Sequence, residues 1–157
     1  MTDHPTLAEE LTLAENTLAS AAYALVQATE RYCATFPEEV RRGLPSYASS
    51  KSNASAAYYM YASALTYIIQ AIEAQIARLS PLSEKALLAK DTDMIKRCQK
   101  YVASYEEFTH NAMSPYFDQG QRFICGNGET VALSPLYSAT CEFLRHAKQL
   151  ANLWKKD

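Results

Sequence analysis

The stretch SPLYSATCEFLRHAKQLANLW, residues 134–154, decides the fold class. Leu136, Thr140, Phe143, Ala147, Leu150 and Trp154 recur at alternating steps of four and three, the seam of an amphipathic helix. Ser134 is a suitable N-cap, and Pro135 falls at the first helical position, where its missing N–H costs nothing. Cys141, Arg145, Lys148, Asn152 and Lys155 lie away from the seam. One face is therefore built to join a bundle, and the other offers a short basic stripe.

The same reading extends upstream. Thr6 and Glu9 form a capping box, and Leu7, Leu11, Ala14, Leu18, Ala21, Leu25, Ala28 and Tyr32 keep a strict four-three spacing. This predicts a first helix over 6–34. A turn follows, opened by Pro37 and closed by Gly43. A second helix is predicted over 49–79, with Tyr58, Tyr61, Leu65, Ile68, Ile72, Ile76 and Leu79 inward and Ser80-Pro81 as its stop. A third is predicted over 83–113, with Leu87, Ile95, Cys98, Val102, Tyr105 and Phe108 inward. Asp91-Thr92-Asp93 is its candidate break, because these residues cap better than they propagate. Residues 121–133 are the strand-like piece. Phe123-Ile124-Cys125 and Thr130-Val131-Ala132, around Gly126-Asn127-Gly128, read as a small hairpin or as an ordered loop. The expectation is one domain over 1–157: an all-α, up-and-down bundle of about four long helices with a short loop or β-hairpin insertion near 121–133.

Composition narrows the function. Apolar residues make up 48% of the chain and glycine only four positions, which suits helices better than turn-rich sheets. The net charge of −2 argues against strong nonspecific affinity for nucleic acid, but charge is unevenly placed. Residues 1–39 carry a net −6, 40–105 a net +5, 106–140 a net −3 and 141–157 a net +2. Cys33, Cys98, Cys125 and Cys141 include no CxxC pair, so neither a zinc site nor a thioredoxin-like motif is indicated. The N-terminus lacks the basic and apolar regions of a signal peptide, and the apolar run 54–69 is too polar to span a bilayer. These features predict a soluble, cytoplasmic protein with reduced thiols.

Catalytic groups are sparse. Glu107 and His110 have the Glu-x-x-His spacing of di-iron bundles, but Glu142 and His146 are four apart rather than three. Glu73 and Glu30 would be needed as further ligands, and surface contacts are the plainer reading. No histidine follows an arginine at the spacing of helical ribonucleases, and neither a nucleophile elbow nor a phosphate-binding glycine loop occurs. The expectation is a nonenzyme with no metal and no cofactor. Among eleven tyrosines, Tyr58, Tyr59 and Tyr61 have the chemistry to stack bases, although tyrosines at helical spacing are more often core. The basic residues are the stronger candidates. Arg41 and Arg42 lie between helices, Lys51 begins the second helix, and Arg145 and Lys148 share one face of the last.

Three segments resemble, in order, the small helical subunit of the Cmr (type III-B) CRISPR effector complexes. The first is Ala21-Ala22-Tyr23-Ala24-Leu25-Val26. The second runs Arg31-Tyr32, Phe36-Pro37, Val40-Arg41, Gly43-Leu44 and Ser50-Lys51. The third is Tyr137, Ala139, Thr140, Glu142, Phe143, Leu144, Arg145, Lys148 and Ala151. Together they touch about a third of the chain. The Gly-Leu to Ser-Lys interval is a few residues shorter than in the family, and residues 121–133 are extra. The resemblance implies a noncatalytic subunit that stacks with further copies of itself and the other subunits along a crRNA-guided antiviral complex and touches the backbone of the target RNA in the crRNA–target duplex. Catalysis in such complexes belongs to other subunits. It makes Arg41, Arg42, Lys51, Arg145 and Lys148 the RNA-contact candidates. The alternatives are a helical protein-binding module, such as an immunity or adaptor protein, and a ferritin-like metal-binding bundle.

Overall fold

The computed structural model describes residues 6–49, 53–124 and 130–155. Within them run α1 (Leu7–Thr35), α2 (Glu38–Arg41), β1 (Tyr47–Ser49), α3 (Asn53–Leu88), α4 (Thr92–Phe108), a π turn (Thr109–Met113), α5 (Ser114–Ile124), β2 (Thr130–Ala132) and α6 (Leu133–Trp154). The all-α bundle predicted from the sequence is the fold. Its four rods are α1, α3, the continuous run α4–π turn–α5, and α6. Cys141 near the start of α6 acts on Cys33 near the end of α1, whereas Tyr23 of α1 lines one groove with Asn152 near the end of α6, so these helices run antiparallel. Tyr32 stacks on Tyr61 of α3, while Ala14 lines a groove with Arg78 and Lys85, so α1 and α3 also run antiparallel. Tyr105 of α4 donates to Glu73 of α3 at 3.0 Å, and Trp154 of α6 donates through Nε1 to Ser104 of α4 at 2.8 Å. The result is an up-down-up-down bundle.

Local chemistry explains most helix ends. Thr6 accepts from the Glu9 N–H at 3.1 Å, and the Glu9 carboxylate accepts from the Thr6 N–H at 3.3 Å, completing the predicted box. Gly43 sits at φ 83°, with its N–H on the Val40 carbonyl and the Leu44 N–H on that of Glu39, which closes α2. Asp91 caps α4 by accepting from the Met94 N–H at 3.2 Å. Ser134, in contrast, does not cap α6. The helix begins at Leu133 after Ala132, and the Ser134 hydroxyl donates to the Leu44 carbonyl across the fold at 3.3 Å.

Pro81 does not end the second long helix. α3 runs through it to Leu88, because Leu82 and Ala86 beyond it are buried in the core. That burial outweighs the lost backbone hydrogen bond. Residues 83–88 therefore belong to α3, and Leu87 is exposed rather than inward. The actual stop is Lys90, at φ 58°, with its N–H on the Leu87 carbonyl and the Asp91 N–H on that of Ala86. The third rod starts later than predicted and continues to Ile124. Met94, Cys98, Tyr101, Tyr105 and Phe108 form its seam, with Ile95 and Val102 only partly buried.

The π turn explains how this rod stays inward. Continuing the four-three steps from Phe108 through Ala112 would turn Pro115, Gln119 and Arg122 inward. A π turn inserts one residue and shifts the phase. Met113, Tyr116, Gly120 and Phe123 face the core instead. Gly120 is required there, since a Cβ would lie 1.6 Å from the Tyr58 hydroxyl oxygen.

The 121–133 region corrects the hairpin alternative. Residues 121–124 are the last turn of α5, and 130–132 pair antiparallel with 47–49, Tyr47 opposite Ala132 and Ser49 opposite Thr130. Residues 125–129, including Cys125 and the Gly-Asn-Gly turn, lie outside the described residues.

Candidate nucleic-acid interface

The seam of α6 is buried as its spacing predicts: Leu136, Thr140, Phe143, Ala147, Leu150 and Trp154 all lie in the core. This fixes the opposite, basic face in solvent. Arg145 pairs there with Glu142 and lies 3.2 Å from the His146 ring nitrogen. The bond from Arg145 is the main reason the Glu142 carboxyl is held below its usual range. Lys148 is exposed and has no ion pair among the described residues.

α2 brings a second group of cations alongside. Val40 is buried and anchors this short turn, leaving Arg41 and Arg42 exposed. Arg42 donates to Glu38 at 2.9 Å, an exposed pair one turn apart. Arg41 has no ion pair among the described residues, and its charge acts on the Tyr137 hydroxyl of α6. Lys51, the remaining candidate, lies outside the described residues. The structure therefore brings Arg41 and Lys148 to the side where α1 meets α6, and gives Arg42 and Arg145 acidic partners. Exposed pairs of this kind contribute little and can yield to a phosphate.

Between these cations lie Cys33, Tyr137 and Cys141. Burial pushes the Cys33 thiol up to about 12, with the neighbouring Cys141 as the next cause. A hydrogen bond with Cys141 raises the Tyr137 hydroxyl in turn. Such a thiol is a weak nucleophile at neutral pH.

The possible metal ligands are dispersed. Glu107 and His110 are exposed, and Glu73 accepts the Tyr105 hydroxyl. His146 shares an open groove of about 240 Å³ with Glu107, but no group of three His, Cys, Asp or Glu among the described residues could hold a metal ion. Tyr58 and Tyr61 are packed into a core of aromatic rings with Tyr32, Tyr116 and Phe123, which removes both from base stacking. Tyr59 is exposed.

Two surfaces escaped the sequence reading. One is a groove of about 610 Å³ between α1 and α6, with Ala19, Val26 and Ala151 as its apolar lining and Tyr23, Lys148 and Lys155 beside them. Tyr23 is 61% exposed although no charged residue stands near it in sequence between Glu15 and Glu30. Its position two residues before the seam residue Leu25 was the available signal. The other is the outer face of α3. Met60, Tyr67 and Leu88 are 76, 81 and 85% exposed, with Tyr59 and Leu87 beside them. No charged residue occurs from Asn53 through Ile72.

Comparison with known protein families, with curated proteins and with solved structures finds no match to this chain. No helix among the described residues is long and apolar enough to cross a membrane.

Proposed function

We propose that this chain is a noncatalytic small subunit of a crRNA-guided type III CRISPR–Cas antiviral complex. It acts in the cytoplasm, stacks along the complex with further copies of itself, and touches the target RNA backbone. The observation that carries the assembly role is the outer face of α3. Its buried seam is Tyr58, Leu65, Ile72, Leu79 and Ala86, one residue per heptad. Met60, Tyr67, Ala74, Pro81 and Leu88 repeat at the same spacing two positions later, about 200° around the helix. All five are exposed. A 36-residue helix is about 54 Å long, long enough for an extended contact. Large exposed apolar patches mark interaction surfaces, and the charge-free first half of this face, residues 53–72, imposes little desolvation penalty on a partner.

The type of complex is supported by the resemblance. Its landmarks Tyr32, Phe36 and Val40 are core residues, and Gly43 occupies a left-handed position that suits glycine. The RNA role is supported by Arg41 and Lys148, exposed on one side of the bundle. In such a complex the guide reads sequence, so this subunit needs only backbone and shape.

The test is co-expression with the crRNA-guided subunits of a type III-B complex lacking its own small subunit, read by native mass and target-RNA binding. The wild-type chain should be incorporated. Met60→Glu combined with Tyr67→Glu should prevent incorporation while leaving helicity unchanged. A wild-type chain that does not enter the complex ends this reading. The same α3 face also fits an adaptor or immunity protein, which would bind its partner with no dependence on crRNA.

A further inference from the structure

We propose that the groove between α1 and α6 binds one unstacked nucleotide of single-stranded RNA, with Tyr23 stacking on the base and Lys148 and Lys155 holding the flanking phosphates. The proposal rests on the RNA-contact reading above and adds to its backbone contact with the paired strand a separate site for an unpaired nucleotide. The groove, about 610 Å³, falls within the size range of small-molecule pockets. Its apolar lining comes from small side chains, Ala19, Val26 and Ala151, which leave room for a flat ring. Tyr23 contributes an aromatic ring from a helix whose seam residues, Leu18, Ala21 and Leu25, are already buried elsewhere.

Charge selects the occupant. Lys148 and Lys155 line the groove, and among the described residues no acidic side chain lines it and neither lysine has an ion pair. Glu30 lies one helical turn beyond Val26. Lys148 on α6 and Lys155, the residue just past its end, are about two turns apart, about 10 Å, so they can contact successive phosphates on either side of one base. Asn152, between them, adds an amide that can donate to or accept from a base edge. Aromatic ring, cations and amide together are the means by which proteins hold single strands. A duplex keeps its bases stacked and cannot offer one to Tyr23, so the groove selects against paired RNA.

The experiment measures binding of fluorescent oligouridylate to the purified full chain across a salt series. A hairpin RNA with the same number of phosphates is the comparison. Binding should favour the single strand. Tyr23→Ala should weaken it about tenfold, within the range of one lost stacking contact, while Tyr23→Phe retains it. Because Tyr23 is largely exposed, the alanine variant should keep wild-type helicity. Lys148→Ala and Lys155→Ala should each lower the slope of log affinity against log salt by about 0.7. If the wild type binds RNA and loses it on Arg41→Ala with Arg42→Ala, but all groove variants behave as wild type, the groove proposal is wrong and the RNA-contact reading survives. No binding of oligouridylate by the wild type at low salt also overturns the groove, whereas the complex-assembly experiment tests the subunit role separately. Equal, Tyr23-dependent binding of polyglutamate would reassign the groove to an acidic protein segment.

Discussion

Raising the pH should unfold this protein abruptly, because its core is built on tyrosine hydroxyls that cannot ionise in place. Tyr32, Tyr58, Tyr61, Tyr101, Tyr105 and Tyr116 are all buried, and burial is the first cause that pushes each above its ordinary value. Glu15 adds to the effect at Tyr101, and Glu73 at Tyr105, since each carboxylate accepts the phenolic proton. The sign follows from linkage. A group with a raised folded pKa contributes stability that is fully present below its unfolded value, about 10 for tyrosine, and lost as pH rises above it. At pH about 11 each phenol held protonated in the fold favours the unfolded chain by about 1.4 kcal/mol, so the five most strongly raised, all but Tyr58, favour it by about 7 kcal/mol. Domains are typically stable by about 5–15 kcal/mol, which places the midpoint between about pH 11 and about pH 12. The measurement is tyrosinate absorbance and far-ultraviolet circular dichroism on one sample. A large part of the absorbance should appear in the same narrow interval in which helix is lost. Tyr116→Phe should release about one proton fewer in that step and make it shallower. Smooth ionisation of all eleven tyrosines with helix retained to about pH 12 would refute the burial argument.

Three further outcomes test other parts of the structure. Phe143→Ala and Leu65→Ala each empty a fully buried site and should cost about 2–5 kcal/mol in urea unfolding, with the slope against denaturant unchanged. Arg97→Met should cost about 1–3 kcal/mol, because Glu15 is buried and accepts from both Nε and Nη2 of the guanidinium, while Arg97 itself is partly in water. Adding Glu15→Leu to that variant should restore much of the loss, and an additive double mutant, with coupling below about 0.5 kcal/mol, would show that the pair is not the source. Lys90→Gly should raise stability by up to about 1 kcal/mol, since Lys90 holds a left-handed conformation that glycine adopts without a Cβ clash. A loss of stability there would show that the lysine side chain matters more than the backbone.

The rods were legible where a helix meets the core along one regular seam. All six predicted seam residues of α6 are buried, and α1 follows its predicted seam with only Leu7 and Ala28 half-buried. Local rules misplaced the joints where tertiary burial overruled them, as at Pro81. They also missed the end of α3 at Lys90, because a lysine in a left-handed position carries no compositional signal. The π turn was readable in principle, since Met113, Tyr116 and Phe123 repeat out of phase with Phe108. The β1–β2 pairing and the Glu15–Arg97 bond join distant parts of the chain, and no local pattern announces them. The cations of the candidate interface were visible, but their partners could also have been read: Glu38–Arg42 and Glu142–Arg145 stand at helical pairing distance.

The outer stripe of α3 was missed for a different reason: the helix carries two heptad patterns, and only the richer one was read. Tyr58, Leu65, Ile72, Leu79 and Ala86 dominate any search for a core face. Met60, Tyr67 and Leu88 are fewer and separated by Ala74 and Pro81. Yet each outer position stands two residues after an inner one. In a helix of 3.6 residues per turn, a heptad stripe drifts about 20° at each repeat. Both stripes drift together, so Met60 and Tyr67 lie opposite the packing seam, while Pro81 further along reaches the groove that Ala14 of α1 lines. A partner helix can then follow the exposed stripe around Met60 and Tyr67 with the shallow crossing usual for bundle helices. One helix can thus anchor the fold on one side and an assembly on the other, and charge on the outer side should disrupt the second without harming the first.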